Sequence, residues 1–301
     1  MRKFFGGLVV VLIIPFTSTV IVTQAALSLW LDPTIYQQAF QEADAYNRTT
    51  VALNELITNE YSISQPLLTS VWLEQQVNRL ISDLLLLITT PQQTLQNWPA
   101  KISLHEPKQA LTTVVSQVAD YELADEMVSL SQLPEEIALN QLLVANLTQT
   151  DPFNPAADQF VAPVVQQFEQ QLSSTQESLD RLKHLVLFGW ASIAIFAFGL
   201  VLLWPGGRGK SRSLGVSLAV PSGSVLSLGV LLQTNTPLLL GLTPLVLLPK
   251  PWQSIVADIV IVLLKKFGWT LVLSSLPTLA IGLISIILSL ILRHHEKNRI
   301  N

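Results

Sequence analysis

Four runs of this sequence carry no charged side chain: residues 4–31, 185–204, 213–249 and 267–292. A helix rises about 1.5 Å per residue and a bilayer's hydrocarbon core is about 30 Å thick, so roughly 20 apolar residues suffice to cross it. Phe4–Leu31 exceeds that length, with Pro15 as an expected kink and Trp30 as an interfacial anchor. Leu185–Trp204 is just long enough, and Phe267–Leu292 is the strongest run, with Trp269 near its start and Pro277 inside it. Within the third run, Leu214–Leu232 has the length but is interrupted by Pro221, Ser222, Gly223 and Ser224. Such residues are tolerated where neighbouring helices satisfy the freed backbone groups. Ala219, Gly223 and Ser227, and likewise Ser274, Thr278 and Gly282, fall at the four-residue spacing that lets two helices approach closely.

The distribution of charge orients these spans. Arg2 and Lys3 precede the first, Arg208, Lys210 and Arg212 separate the second from the third, and Arg293, Lys297 and Arg299 follow the last. Those three places hold eight Lys or Arg and one acid, Glu296. With four spans all three fall on one side, which the bias of Lys and Arg toward cytoplasmic loops makes the cytoplasm. Both termini are then expected there, in the plasma membrane, with residues 32–183 and the loop 233–266 outside. A cleaved signal peptide is the competing reading of the N-terminus, because Thr23 and Ala25 suit a small-residue cleavage site. Signal peptides carry apolar stretches of about 7–15 residues, shorter than this run, so an uncleaved anchor is expected.

Only 13% of all residues are charged, against about 25% in soluble domains, but the deficit is local. Residues 32–183 hold nineteen of the 21 Asp and Glu, all but Asp258 and Glu296, and six Lys and Arg, a net charge near −13. A domain this acidic lacks the cations that displace counterions from phosphate, so nucleic acid is not an expected partner. The chain has no cysteine, which excludes disulfides, thiolate metal sites and cysteine nucleophiles.

Helical periodicity dominates the acidic domain. Asp32 and Pro33 open a helix expected to reach Tyr61. Thr69 or Ser70 starts an amphipathic helix through Leu73, Val77, Leu80, Ile81, Leu84, Leu85 and Ile88, which Thr89, Thr90 and Pro91 end. A third begins at Pro107, a fourth at Pro134 with Glu135 and Glu136 in its first turn, and a last near Pro155 that is expected to run on into the second span. Lys101–Leu104 is the one strand-like stretch. In the outer loop, Thr236–Pro249 is apolar but too short and Pro-rich to span, and Trp252, Ile255, Val256, Ile259 and Leu263 form one helical face closed by Lys265 and Lys266. That face suits a helix lying in the membrane interface, the expected arrangement, and would also suit a re-entrant segment packed against the other spans.

No constellation reaches a catalytic, cofactor or metal signal. His105-Glu106 lacks the second histidine of a zinc-protease motif and reads as a cap or solvated turn. His184 lies at a membrane boundary, and His294 and His295 belong to the basic tail. Glu122, Asp125, Glu126, Glu135 and Glu136 are dense enough to consider Ca²⁺ or paired acid–base chemistry, but no calcium-loop pattern accompanies them, so they read as solvated surface. Gly206–Lys210 is glycine-rich without the strand and spacing of a phosphate loop. Asn47-Arg-Thr49 and Asn146-Leu-Thr148 match the glycosylation pattern. The charge-free runs hold no ionisable residue of the kind that marks ion-coupled transport.

Trp72, Leu73, Gln76 and Val77, with Lys108 further on, make a W-L-x-x-Q-V-like helix. In this and its layout the chain resembles uncharacterised bacterial multi-pass membrane proteins with an N-terminal anchor and an extracytoplasmic helical domain, a resemblance that implies topology and no activity. The expected fold is an all-α membrane protein with about four transmembrane helices and an extracytoplasmic helical bundle. Its parts are an anchor (1–31), the acidic domain (32–183), spans at 184–205, 213–232 and 267–293, an apolar outer loop with an interfacial helix (233–266) and a tail (294–301). The expected function is non-enzymatic, an outer domain that binds a partner or senses a ligand, with no cofactor. Its partners would be the bilayer and a protein, or a second copy through the transmembrane helices. The alternative is handling of lipid or a small solute by the C-terminal spans.

Overall fold

The computed structural model describes residues 2–61, 65–91, 93–94, 98, 100–115, 134–138, 158–203, 207–234 and 250–300. Within them are eight helices and one two-stranded sheet: α1 (Arg2–Trp30), α2 (Pro33–Glu42), α3 (Ala45–Tyr61), α4 (Ser70–Thr89), β1 (Lys101–Ser103), α5 (His105–Val115), β2 (Glu136–Ala138), α6 (Asp158–Leu203), α7 (Gly207–Thr234) and α8 (Lys250–Ile300). Four helices are long and apolar enough to cross a membrane, over Gly6–Trp30, Gln166–Leu202, Gly209–Thr234 and Trp252–Arg293. The chain divides into two compact units, one of residues 1–32, 179–243 and 261–301, the other of 33–178 and 244–260.

The first unit contains the apolar helices. One core cluster joins Val20 of α1 to Leu214 and Leu218 of α7 and Ile193 of α6. The next joins Ile21 and Ala25 to Val225 of α7 and Leu271 of α8. Advancing along α1 therefore advances along α7, so the two are parallel. α8 runs antiparallel to α7, and glycine sets how near they come. A Cβ on Gly229 would lie 2.6 Å from the Gly268 carbonyl oxygen, one on Gly215 would lie 2.8 Å from that of Gly282, and one on Gly282 would lie 2.6 Å from the backbone nitrogen of Ala219. Between the two glycine crossings, Ser222 and Ser275 are fully buried, and their hydroxyls donate to Leu218 and Val272 of their own helices.

The period of this contact differs from the one the sequence first offers. Buried positions step by three and four along Gly215, Leu218, Ser222, Val225 and Gly229, and along Gly268, Leu271, Ser275, Thr278, Gly282, Ser285 and Ser289. The small residues repeat every seven positions, the period of a coiled coil. Of the four-residue stripe on α7, Ala219 lies at the contact, but Gly223 has no atom within 4 Å of where a Cβ would stand and Ser227 is exposed.

The second unit is built on α4. Thr69 caps it, its hydroxyl accepting from the Trp72 N–H at 3.1 Å, and the helix ends at Thr90 as the sequence indicated. Leu87, Trp98, Ala100 and Leu172 form its core with Leu80, Ile88 and Phe168. The Gln176 amide from α6 donates to the carbonyls of Leu87, Thr90 and Gln93, at 2.8, 3.2 and 3.3 Å, covering acceptors that the end of α4 leaves open.

Three expectations need correction. The helix from Pro33 does not run to Tyr61: it breaks at Asp44, which takes a left-handed conformation (φ 49°). Asp tolerates this better than most residues because its carboxylate bonds locally, here from Asn47 at 3.4 Å. Glu136 begins a strand instead of continuing a helix from Pro134, pairing antiparallel with β1 in the register Lys101↔Ala138, Ile102↔Ile137, Ser103↔Glu136. Finally, α8 is continuous from Lys250 to Ile300, with no break at 266–267. The face of Trp252, Ile255 and Ile259 packs on Phe40, Ala43 and Ala45, all within the second unit, so protein covers these three positions of the apolar stripe assigned above to a membrane surface. Glu122, Asp125, Glu126, the Asn146 acceptor, Thr236–Pro249 and the start of the last helix at Pro155 lie outside the described residues.

Candidate functional site

Two residues of the W-L-x-x-Q-V-like motif, Trp72 and Gln76, bind the backbone of one residue, Ser103. From α4, the Trp72 indole N–H donates to the Ser103 carbonyl at 2.8 Å, and the Gln76 side-chain oxygen accepts from the Ser103 N–H at 3.0 Å. A one-turn spacing on α4 thus presents one donor and one acceptor to β1, and Leu73 between them is buried. On β1, Lys101 forms an ion pair with Glu136 of β2 at 2.9 Å. That hydrogen bond and charge hold the Glu136 carboxyl below the usual carboxylate range. The arrangement braces the sheet against the helix.

His105 and Glu106 are likewise absorbed into local structure. The Thr69 hydroxyl, already the cap of α4, donates to Glu106 at 3.2 Å, and the His105 ring contacts the Gln109 amide at 3.0 Å. The Thr69–Glu106 bond ties the first turn of α5 to the start of α4, and the His105–Gln109 contact lies within α5. Among the described residues no three His, Asp or Glu side chains gather closely enough to hold a metal ion.

A cleft lies along α3. It encloses about 480 Å³ and is lined by Val51, Asn54, Glu55, Thr58, Asn59 and Pro66. Asn54 shapes it: its side-chain oxygen accepts from the N–H groups of Leu67 and Leu68, each at 3.0 Å, and its amide donates to the Leu68 carbonyl at 2.9 Å. These three bonds hold the segment before α4 at a fixed distance from α3. The volume falls in the range of small-molecule sites, and the lining is more apolar than polar, with two amides, a carboxylate and a hydroxyl set among apolar surface. Nothing in the sequence patterns marked these residues, because the cleft depends on a bond between positions 13 and 14 apart in the chain.

One ion pair joins distant parts of the second unit. Arg48 of α3 contacts Asp258 of α8 at 2.6 Å and donates to the Ser254 hydroxyl at 2.8 Å. Both charged side chains remain partly exposed, at 32% and 47%, so the pair contributes no more than about 1 kcal/mol. Its effect is to orient the start of α8 beside the apolar contact of Trp252 and Ile255.

The buried hydroxyls of Ser213, Ser217, Ser222, Ser275 and Ser285 each donate to a carbonyl of their own helix, as Ser217 does to Leu214 and Ser285 to Ile281. Thr17 of α1 differs, being fully buried with no protein partner for its hydroxyl. The comparisons with known proteins add no assignment to this geometry: no family model matches the chain, and neither a curated protein nor a solved structure matches it.

Proposed function

We propose that this is a non-enzymatic integral membrane protein of the cell envelope, whose acidic helical unit binds a partner or ligand outside the membrane. In this reading α1, the apolar part of α6, α7 and α8 cross the plasma membrane, both termini are cytoplasmic, and residues 32–183 lie on the outer side. The observation that carries the binding role is the α3 cleft, shaped by the Asn54 bonds and lined by exposed side chains such as Thr58 and Asn59. The alternative, passage of a solute through the apolar helices, is disfavoured because the hydroxyls of Ser217, Ser222, Ser275 and Ser285 at the buried face of α7 and α8 donate to their own backbones.

Site-specific photocrosslinking of the full chain in cells tests this. A photoreactive residue at Thr58 or Asn59 is expected to give the same adduct from both positions, while one at exposed Ser82 of α4 gives none. Failure of both cleft positions to crosslink, or equal labelling from Ser82, rejects the cleft as the binding surface.

A further inference from the structure

We propose that one end of the apolar-helix unit is a binding surface for anionic phospholipid headgroups. The parallel packing of α1 with α7 and the antiparallel packing of α7 with α8 bring three chain segments to the same end: the start of α1, the start of α7 and the end of α8. Those segments carry Arg2 and Lys3, then Arg208, Lys210 and Arg212, then Arg293, Lys297 and Arg299, with Glu296 as the one acid in the same stretches. The unit's other acids, Asp32 and Asp180, belong to the opposite ends of α1 and of the apolar part of α6, where Asp180 already meets Lys183 at 3.5 Å. Lys210, Arg212 and Arg293 have no carboxylate partner among the described residues.

A second feature selects a lipid over a free anion or an acidic protein. Within one turn of Arg293, Leu290 and Ile291 of α8 are 58% and 50% exposed, and Leu202, at the end of α6 that leads into α7, is 67% exposed. A ligand fitting this surface is anionic where it meets Lys210, Arg212 and Arg293 and apolar where it meets the leucines and isoleucine. An anionic phospholipid has both parts in that order. Clusters of Lys and Arg next to membrane helices bind such headgroups with about a fivefold gain in affinity for each cation near the surface. The inference rests on the four helices being membrane-embedded, but not on which end faces the cytoplasm.

The purified full chain in neutral detergent can be titrated with phosphatidylglycerol, with phosphatidylcholine and with inorganic phosphate, reading thermal unfolding and retained lipid by native mass spectrometry. Phosphatidylglycerol is expected to raise the unfolding temperature and remain bound, and phosphatidylcholine and phosphate are not. Joint substitution Lys210→Gln, Arg212→Gln and Arg293→Gln should weaken phosphatidylglycerol binding about a hundredfold. The charge-preserving set Lys210→Arg, Arg212→Lys and Arg293→Lys should retain it, which separates loss of charge from loss of fold. Equal retention of the two lipids, undiminished binding by the neutralised variant, or a full shift with phosphate alone overturns the proposal. Membrane embedding is judged separately, by whether the chain resists alkaline carbonate extraction from membranes.

Discussion

Tyr46 shows how a single side chain in the second unit couples packing to pH. It is 6% exposed, stacks on Phe40 with ring centroids 5.5 Å apart, and donates its hydroxyl to Asn78 of α4 at 2.6 Å. Burial, and then the nearby Glu74 carboxylate, disfavour the phenolate and push its pKa up to about 12. The folded chain thus keeps a proton that the unfolded chain releases near pH 10, so the unfolded state binds fewer protons between the two values. Stability from this group is complete below pH 10 and is lost as pH rises toward 12. The phenolate absorbance difference between the wild type and Tyr46→Phe should be centred near pH 12. Thermal unfolding of the wild type should fall more steeply than that of the variant over the same window. A difference curve centred at pH 10 would mean that the hydroxyl is not held as described. The partners of Tyr46 were not readable from sequence, because one unbroken helix from Pro33 to Tyr61 would hold Phe40 and Tyr46 apart. Only the left-handed turn at Asp44 brings them face to face.

At the scale of elements, the α7–α8 pair makes the sharpest demand on residue size. At Gly282 an added Cβ would stand 2.6 Å from backbone at Ala219, which cannot swing away as a flexible side chain could, whereas at Gly223 it would meet nothing within 4 Å. Gly282→Ala should therefore destabilise the chain in detergent by about 1–3 kcal/mol, the usual cost of overpacking. Gly223→Ala should change stability by less than about 0.5 kcal/mol. Equal unfolding temperatures for the two variants would sink the seven-residue register. The same pair marks how far the sequence could be read. Absence of charge locates the apolar helices because lipid imposes it on every exposed position, and the caps at Thr69 and Thr90 bound α4 because they act locally. Which face of α7 meets α8 depends on Gly215 and Gly229 meeting Gly282 and Gly268, partners more than 35 residues away, and small residues at two spacings coexist in the sequence. The short strand at Glu136 was hidden for a similar reason: Pro and two acids open helices well, and pairing with Lys101–Ser103 is a nonlocal gain that local propensity does not register.

For the whole molecule the decisive matter is sidedness, and the helix directions make it testable beyond a count of charges. Because α7 and α8 are antiparallel, Thr234 at the end of α7 and Lys297 near the end of α8 belong to opposite ends of the first unit. If these helices cross the bilayer, the two residues face different compartments. The basic residues at the starts of α1 and α7 and the end of α8 favour the cytoplasm for the Lys297 end. The chain has no cysteine, so a single introduced thiol is the one reactive site in each variant. Glu60→Cys, at an exposed position of α3, reports the acidic unit, and Thr234→Cys and Lys297→Cys report the two ends. A membrane-impermeant maleimide applied to intact cells should label Glu60→Cys and Thr234→Cys, and should reach Lys297→Cys only after permeabilisation. Labelling of all three in the reverse pattern would keep the four-helix arrangement but invert it, placing the acidic unit in the cytoplasm and removing the outer binding role. Identical labelling of Thr234→Cys and Lys297→Cys would be more damaging. It would mean that the paired helices do not pass through the membrane as a hairpin, and the glycine-packed contact between α7 and α8 would need another setting.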